Sequence, residues 1–404
     1  MKIKSILCMM IIISLFLPSA IFAAETDENI QTLFNVFTWD YSNAKDLFSD
    51  LFLQQVSEKS LVEVIKSYKD KLGKLNQVTK TDGGYILQFE KGSAPAQISL
   101  DSNKKIVGLW FGNVTLNEDT LEKILSEFKK IPGSVSVSII KNGKDVMLDY
   151  NGDKPMAVGS AFKLYVLESV YDLVGSGKIS WKDIVLLNNK NKSVPSGILQ
   201  DWNEGTPVTL KTLTNLMISI SDNTATDHII DYIGKDKIEN LFLSERNKPF
   251  LKTSEVFKLK SANNPEIMES YIKADTNKRR ELLKDVEKID INAVSIPAKP
   301  VDIDKIEWFF STKELCRVIY DLKDADEIKI NPGLVSTKQD WNIVGFKGGS
   351  EPGVINYTHV LQKEKDKDVY SVSVTVNDTA NLIDENKVAE LTSRLISLIG
   401  DGKI

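Results

Sequence analysis

Apolar residues along the chain first recur at helical intervals. From Asn29 to about Lys74, the residues Phe34, Phe37, Leu47, Leu51, Val62 and Ile65 lie three, four or their sums apart, with a break around Thr38 to Ser42. That spacing predicts helices facing one core. The period then changes to two. Tyr85-Ile86-Leu87-Gln88-Phe89, Ala96-Gln97-Ile98-Ser99-Leu100 and Ile106-Val107-Gly108-Leu109-Trp110-Phe111 are short runs separated by Gly, Ser and Asn, and they predict an antiparallel meander. A helix from about Leu116 to Lys130 ends at Pro132-Gly133. After it, Val135 to Ile139 and Val146 to Leu148 flank Asn142-Gly143, a strong hairpin signal. The chain then reads as largely helical to about Asp321, with a charged, poorly periodic surface insertion from Asn263 to Lys299. Strands at Thr358 to Leu361 and Tyr370 to Val376, then a helix from Glu385 to Ile399, close the sequence. Strands at both ends with helices between them predict one sheet closed by the two termini of a domain.

These elements predict an α+β multidomain protein. A small α+β domain covers 24–115, a linking helix 116–132, and a larger domain 133–404. The small domain's layout resembles the nuclear-transport-factor-2-like (or cystatin-like) folds and carries no catalytic constellation. Packing or substrate shielding is its expected role. Residues 1–23 have the form of a cleavable signal peptide: Lys2 and Lys4, an apolar run from Ile6 to Leu17, then Pro18, Ser19 and Ala20, with small residues at Ala23 and Ala24. The run is about a dozen residues, short of the roughly 20 that span a bilayer. The expectation is an exported protein, secreted or periplasmic, without membrane attachment after cleavage. Cys8 falls within the apolar run. Cys316, on an apolar helical stripe, is expected to be buried and inert.

Composition narrows the chemistry. With 42% hydrophobic and 26% charged residues the chain is globular rather than disordered. A net charge of −5 gives no general attraction to nucleic acid. Two cysteines and two histidines in 404 residues argue against a disulfide framework and against a His/Cys metal site; no metal or cofactor is expected. They also argue against a Ser-His-Asp mechanism, and His228 and His359 read as structural. A nucleophilic serine here needs a different base.

Gly159-Ser160-Ala161-Phe162-Lys163 opens a helical run. Ser160 and Lys163 are three apart and so share a face of the first turn. The positive end of a helix favours an alkoxide at Ser160, and burial or a second cation lowers a lysine's pKa enough for it to serve as base. Phe162 either shields that lysine or belongs to the core. Further on, Ser221-Asp222-Asn223 follows the helical stripe of Leu210, Leu213, Leu216, Met217 and Ile220. It offers a hydroxyl to relay a proton and an amide to hold a carbonyl, with Asp222 bracing the loop. Lys347-Gly348-Gly349-Ser350 precedes a strand pair, and supplies a positive charge beside glycines that let a substrate lie on a strand edge.

S-x-x-K, S-D-N and K-x-G in this order resemble the triple signature of class A β-lactamases and penicillin-binding proteins. The resemblance covers roughly 133–404. Ser196-Gly197-Ile198-Leu199-Gln200-Asp201-Trp202 and Ser221 to Asp227 are similar to one branch, which carries a small N-terminal domain and includes the serine hydrolase encoded in clavulanic-acid biosynthetic clusters. It implies a helical subdomain beside an antiparallel sheet flanked by helices. It also implies Ser160 as nucleophile, Lys163 as acylation base and Ser221 as proton relay. Asn223 would hold the substrate amide and Lys347 its carboxylate, with Gly349 and Ser350 lining the site. The backbone N–H groups of Ser160 and Ser350 would form the oxyanion hole. The expected partner is a small molecule (a β-lactam, an ester or a peptidoglycan-like amide), and the expected state is a monomer. Two departures stand out. The usual K-T-G or K-S-G hydroxyl is missing unless Ser350 replaces it, and no E-x-x-L-N string occurs between Asn223 and Lys347. Glu255, Glu266 and Glu307 lie in that interval, Glu307 in the most apolar setting.

Overall fold

Residues 27–241, 244–335 and 338–404 are described by the computed structural model; the expected signal peptide lies outside them. The chain divides into two units. One holds residues up to Leu125 together with 334–340 and 389–403, and the other holds 126–333 and 341–388 with Ile404. This is the α+β multidomain class the sequence predicts.

The first unit begins with three helices, α1 (Glu28–Thr38), α2 (Asp50–Gln55) and α3 (Glu58–Leu72). Ser49 and Ser57 cap the second and third through their side-chain oxygens. The antiparallel strands β1 (Leu75–Thr81), β2 (Gly84–Phe89), β3 (Gly92–Leu100) and β4 (Ile106–Phe111) follow in sheet order, with β5 (Thr115–Leu116) on β3. Leu33, Val36, Phe48, Ile65 and Leu87 are buried between helices and sheet. Strand β1 is absent from the sequence expectation for a physical reason. Its inward residues Leu75 and Val78 are three apart because a bulge between Leu75 and Gln77 inserts an extra residue.

Helix α4 (Leu121–Phe128) leads to β6 (Ser134–Lys141) and β7 (Asp145–Tyr150). Between these strands Asn142 and Gly143 both take positive φ, as the Asn-Gly signal demands. Next come β8 (Met156–Ala157), α5 (Lys163–Gly175), β9 (Ile184–Leu186), β10 (Pro207–Thr209), α6 (Leu210–Ser219), α7 (Asn223–Ile233) and α8 (Lys235–Glu239). The chain continues through α9 (Thr253–Lys260), α10 (Pro265–Lys273), α11 (Thr276–Glu287), β11 (Phe309–Phe310), α12 (Thr312–Asp321) and α13 (Glu327–Ile330). It ends with β12 (Ile343–Glu351), β13 (Val354–Gln362), β14 (Val369–Asn377) and α14 (Glu385–Gly400).

The main sheet is antiparallel in the order β12-β13-β14-β6-β7, so strands from both ends of the domain meet at β14–β6. Helix α12 packs on β14, β13 and β6 and buries Cys316. Burial pushes that thiol's pKa up, which keeps it inert. Helix α5 is buried on nearly every side, from Lys163 through Leu173, the pattern of a central helix. The segment 263–299 differs from the surface insertion expected. It folds into α10 and α11, and buries Tyr271, Leu283 and Val286 in the same core as α5.

Candidate active site

The sequence places Ser160 on a one-turn 3₁₀ segment, Gly159–Phe162, that feeds directly into α5. Gly159 has φ +50°, and a Cβ on it would stand 3.3 Å from the Ser350 backbone nitrogen. Phe162 is fully buried and stacks on Trp308 at 3.9 Å between centroids. It is therefore core, which anchors the turn from below while Ser160 stays partly exposed.

Lys163 has no exposed surface. Its Nζ donates to the Ser221 carbonyl at 2.6 Å, to Asn223 Oδ1 at 2.7 Å and to Ser221 Oγ at 3.1 Å. All three acceptors are neutral, and among the described residues no carboxylate lies within ion-pair distance of it. A buried ammonium without a counter-ion is expensive, and such groups neutralise instead. Burial first, and the Lys347 charge second, hold the Lys163 pKa well below that of an ordinary lysine; Asp227 and Asp222 offset this only in part.

Lys347, on edge strand β12, donates to Ser221 Oγ at 3.1 Å and to the Gly348 carbonyl at 2.6 Å. Burial lowers its pKa to about 7. Both lysine nitrogens bond the same hydroxyl, so they stand within about 6 Å. At an effective dielectric of about 20, two charges so placed repel by about 3 kcal/mol, which makes a doubly charged site costly.

Ser221 reaches both lysines because its φ is +59°, a conformation that costs a non-glycine residue about 1–2 kcal/mol. The turn is held by its surroundings. Asp222 accepts from Ala225 N at 2.8 Å as the N-cap of α7, and from Ile198 N at 2.7 Å and Leu199 N at 3.0 Å. Ser196 Oγ donates to the Ser221 carbonyl at 2.8 Å. Gly197 (φ +117°) is required, since a Cβ there would fall 2.3 Å from Asp222 Cγ. Asn223 Nδ2 donates to the Val194 carbonyl at 2.8 Å, which turns its Oδ1 to Lys163.

The structure thus brings Lys163, Ser221, Asn223 and Lys347 into one hydrogen-bonded cluster. Ser160 lies on the turn before Lys163, and among the described residues its hydroxyl makes no hydrogen bond to that cluster. At Gly349 a Cβ would meet the Val158 carbonyl at 2.1 Å and Ser160 N at 2.6 Å, so its missing side chain makes room for the turn that carries Ser160. The Ser350 hydroxyl does not replace the missing K-T-G hydroxyl within the cluster; it donates to Glu385 Oε1 at 3.0 Å. Its backbone N–H is differently placed. Glu351 and Val354 flank the two-residue turn to β13, so they form a hydrogen-bonded pair and the alternate N–H groups, Ser350 among them, face the open edge.

The three glutamates weighed in the sequence are engaged elsewhere or exposed. Glu255 pairs with Lys235 at 2.7 Å and accepts from Lys252 N. Glu307 accepts from Lys260 Nζ at 2.8 Å and from Trp308 N at 3.2 Å, and Glu266 is exposed on α10. Both histidines are structural in their contacts. His228 bonds Thr224 O and Asn188 N, and burial lowers the His359 pKa to about 3. Among the described residues no His/Cys/Asp/Glu group could hold a metal ion. Sequence reasoning did not single out Gly159, Gly197 or Trp308. Gly159 and Gly197 sit inside the quoted strings, but their need for glycine comes from contacts far along the chain.

The described fold is similar to a β-lactamase from Sphaerobacter thermophilus at 19% identity and TM-score 0.49, over 70% of this chain and 98% of that one. It is also similar to PBP-A at 14% identity and TM-score 0.47, over 70% and 95%. A third similar structure is a β-lactamase from Francisella tularensis, at 15% identity and TM-score 0.48, over 70% and 99%. No curated protein matches the sequence. Residues 117–284, which include Ser160, Lys163, Ser221 and Asn223 and end before Lys347, match the family model described as the β-lactamase enzyme family. The likeness to that family is carried by residues 117–284, less than half of the chain.

Proposed function

We propose that the chain is an exported acyl-transfer hydrolase that forms an ester on Ser160. The observation that carries this is the buried Lys163, surrounded by neutral oxygens and depressed in pKa by burial and by Lys347. Neutral Lys163 takes the Ser160 proton as Oγ attacks the substrate carbonyl. The oxyanion forms against the N–H groups of Ser160 and Ser350. Ser221, in contact with both lysines, passes a proton to the leaving nitrogen or oxygen. Asn223 and Lys347 hold the substrate amide and carboxylate. Substrates are small molecules: β-lactams, activated esters or peptidoglycan-like amides. Export rests on the signal-peptide form of residues 1–23. Intact-mass measurement after incubation with a β-lactam or an activated ester tests the proposal. An adduct on the peptide containing Ser160, lost in Ser160→Ala, is expected; no adduct and no turnover with either reagent would leave a binding protein.

A second reading, a penicillin-binding protein with slow turnover, is favoured by the engagement of Glu255 and Glu307 in ion pairs. It shares the acylation step and differs only in how fast the acyl group leaves Ser160.

Lys347→Ala is expected to lower acylation by carboxylate-bearing substrates about 10–100-fold, the worth of a charge-assisted contact of roughly 1.5–3 kcal/mol. With its pKa near 7, Lys347 is charged below that pH and loses its hold on a carboxylate above it. Neutral esters report its second effect. Removing the neighbouring charge raises the Lys163 pKa, so the acidic limb of the pH–rate profile moves to higher pH. Equal losses for charged and neutral substrates with no shift of that limb would remove both roles.

A further inference from the structure

Strand β12 carries a second buried cluster, on the face it turns to the nucleophile. Side chains alternate along a strand, so Lys347, Gly349 and Glu351 share a face. Lys347 meets Ser221, Gly349 lies against the Val158 carbonyl and Ser160 N, and Glu351 meets Lys260. The Lys260 ammonium, 2% exposed, sits 2.5 Å from Glu351 Oε1 and 2.8 Å from Glu307 Oε1. Glu307 is followed by Trp308, whose carbonyl accepts from Val158 N at 3.0 Å and whose ring stacks on Phe162. The turn bearing Ser160 is therefore held on one side by β12 and on the other by Trp308. Lys260, from α9, ties the residue that ends the strand to the residue that precedes the tryptophan.

We propose that Lys260, Glu307 and Glu351 form a proton-dependent pin that sets the distance between the Ser350 N–H on β12 and the Ser160 turn. This deepens the acyl-enzyme reading and rests on it. These are positioning residues, since none touches the reacting atoms. Two carboxylates and one ammonium leave a net buried negative charge unless one carboxyl keeps its proton, and a protonated Glu351 hydrogen-bonding Glu307 makes the trio neutral. Burial and the Glu307 carboxylate hold Glu351 well above the usual carboxylate range, against the opposing pull of Lys260. Lys260 is pulled down by burial, but the two carboxylates raise it on balance, so it stays charged. Glu351 reaches solvent through a small cleft lined by Phe257, Ile296, Pro297, Lys299, Val301 and Pro352. Lys299 is the one further titratable group lining that cleft. When Glu351 ionises, the two carboxylates repel, β12 moves off the nucleophile turn, and the oxyanion hole opens.

The experiment follows acylation by a neutral ester against pH in the full chain and in Glu351→Gln, which keeps the hydrogen bond but cannot ionise. The ester removes the carboxylate effect of Lys347. Above the ionisation of Glu351 the wild-type rate is expected to fall about tenfold per pH unit, while Glu351→Gln holds its rate. Amide exchange of the peptide covering 343–351, corrected for intrinsic rates, is expected to quicken over the same range in the wild type alone. An identical alkaline fall in both proteins, or strand loosening with no loss of rate, overturns the pin. A wild type that never acylates Ser160 sinks the acyl-enzyme reading instead. In that case the exchange measurement still decides whether Glu351 holds the strand.

Discussion

Lys163→Ala is expected to slow acylation of Ser160 by about 10²–10⁴-fold, the usual contribution of a positioned general base. His228 and His359 are both committed to structural contacts or held neutral by burial, so no imidazole is placed to substitute. Lys347 is the one other amine bonded to Ser221 Oγ among the described residues, but it belongs to the strand edge rather than to the turn that carries Ser160. The wild-type rate should fall as pH drops through the lowered Lys163 pKa, because protonation removes the lone pair. The variant should lose that acidic limb along with the rate. Truncation also removes the Lys163 donor from Asn223 Oδ1 and one of the two donors, with Ser196 Oγ, from the Ser221 carbonyl, so Lys163→Met, which fills the same space, serves as a packing control. If either variant is acylated at close to the wild-type rate in an intact-mass time course, the base is not Lys163.

The candidate site was more legible than the packing that supports it. Ser160, Lys163, Ser221, Asn223 and Lys347 could be chosen from residue type and order. Four of the five meet in one cluster because α5 is apolar enough to be buried whole and draws Lys163 inside with it. Short apolar runs and the Asn-Gly turn found β6, β7, β13 and β14 of the main sheet, because such signals act locally; β12, read only as glycines before a strand pair, escaped. What escaped depends on distance along the chain. The close approach of Gly349 to Val158 and Ser160 shows only in the fold. The apolar setting of Glu307 does not reveal Lys260 beside it. The charged stretch 263–299 hides two helices because three buried residues, Tyr271, Leu283 and Val286, suffice to anchor them. Strand β1 hides because a bulge gives it a helical spacing.

The fate of the acyl group gives the remaining large effect. Fast β-lactam turnover needs a group that activates water against the Ser160 ester, and a general base is worth about 10²–10⁴-fold in that step. The buried carboxylates near Lys163 are already committed. Asp222 accepts from three backbone N–H groups, and Asp227 accepts from Thr253 N, Thr253 Oγ1 and Ser254 N. Glu255 and Glu307 are held by lysines. Lys163 remains for both steps, and a β-lactam's opened ring stays attached where water must approach. A stoichiometric adduct on Ser160 that outlasts the reaction by minutes or longer is therefore expected with β-lactams. Activated esters, which leave a smaller acyl group, should turn over better. Ser160→Ala should show neither adduct nor ester turnover. Rapid steady-state β-lactam hydrolysis with no detectable adduct would overturn this, and Glu307→Gln would then be the first variant to measure. A Glu307 that serves as the water's base must first leave Lys260. Glu307→Gln should in that case convert fast turnover into a trapped adduct.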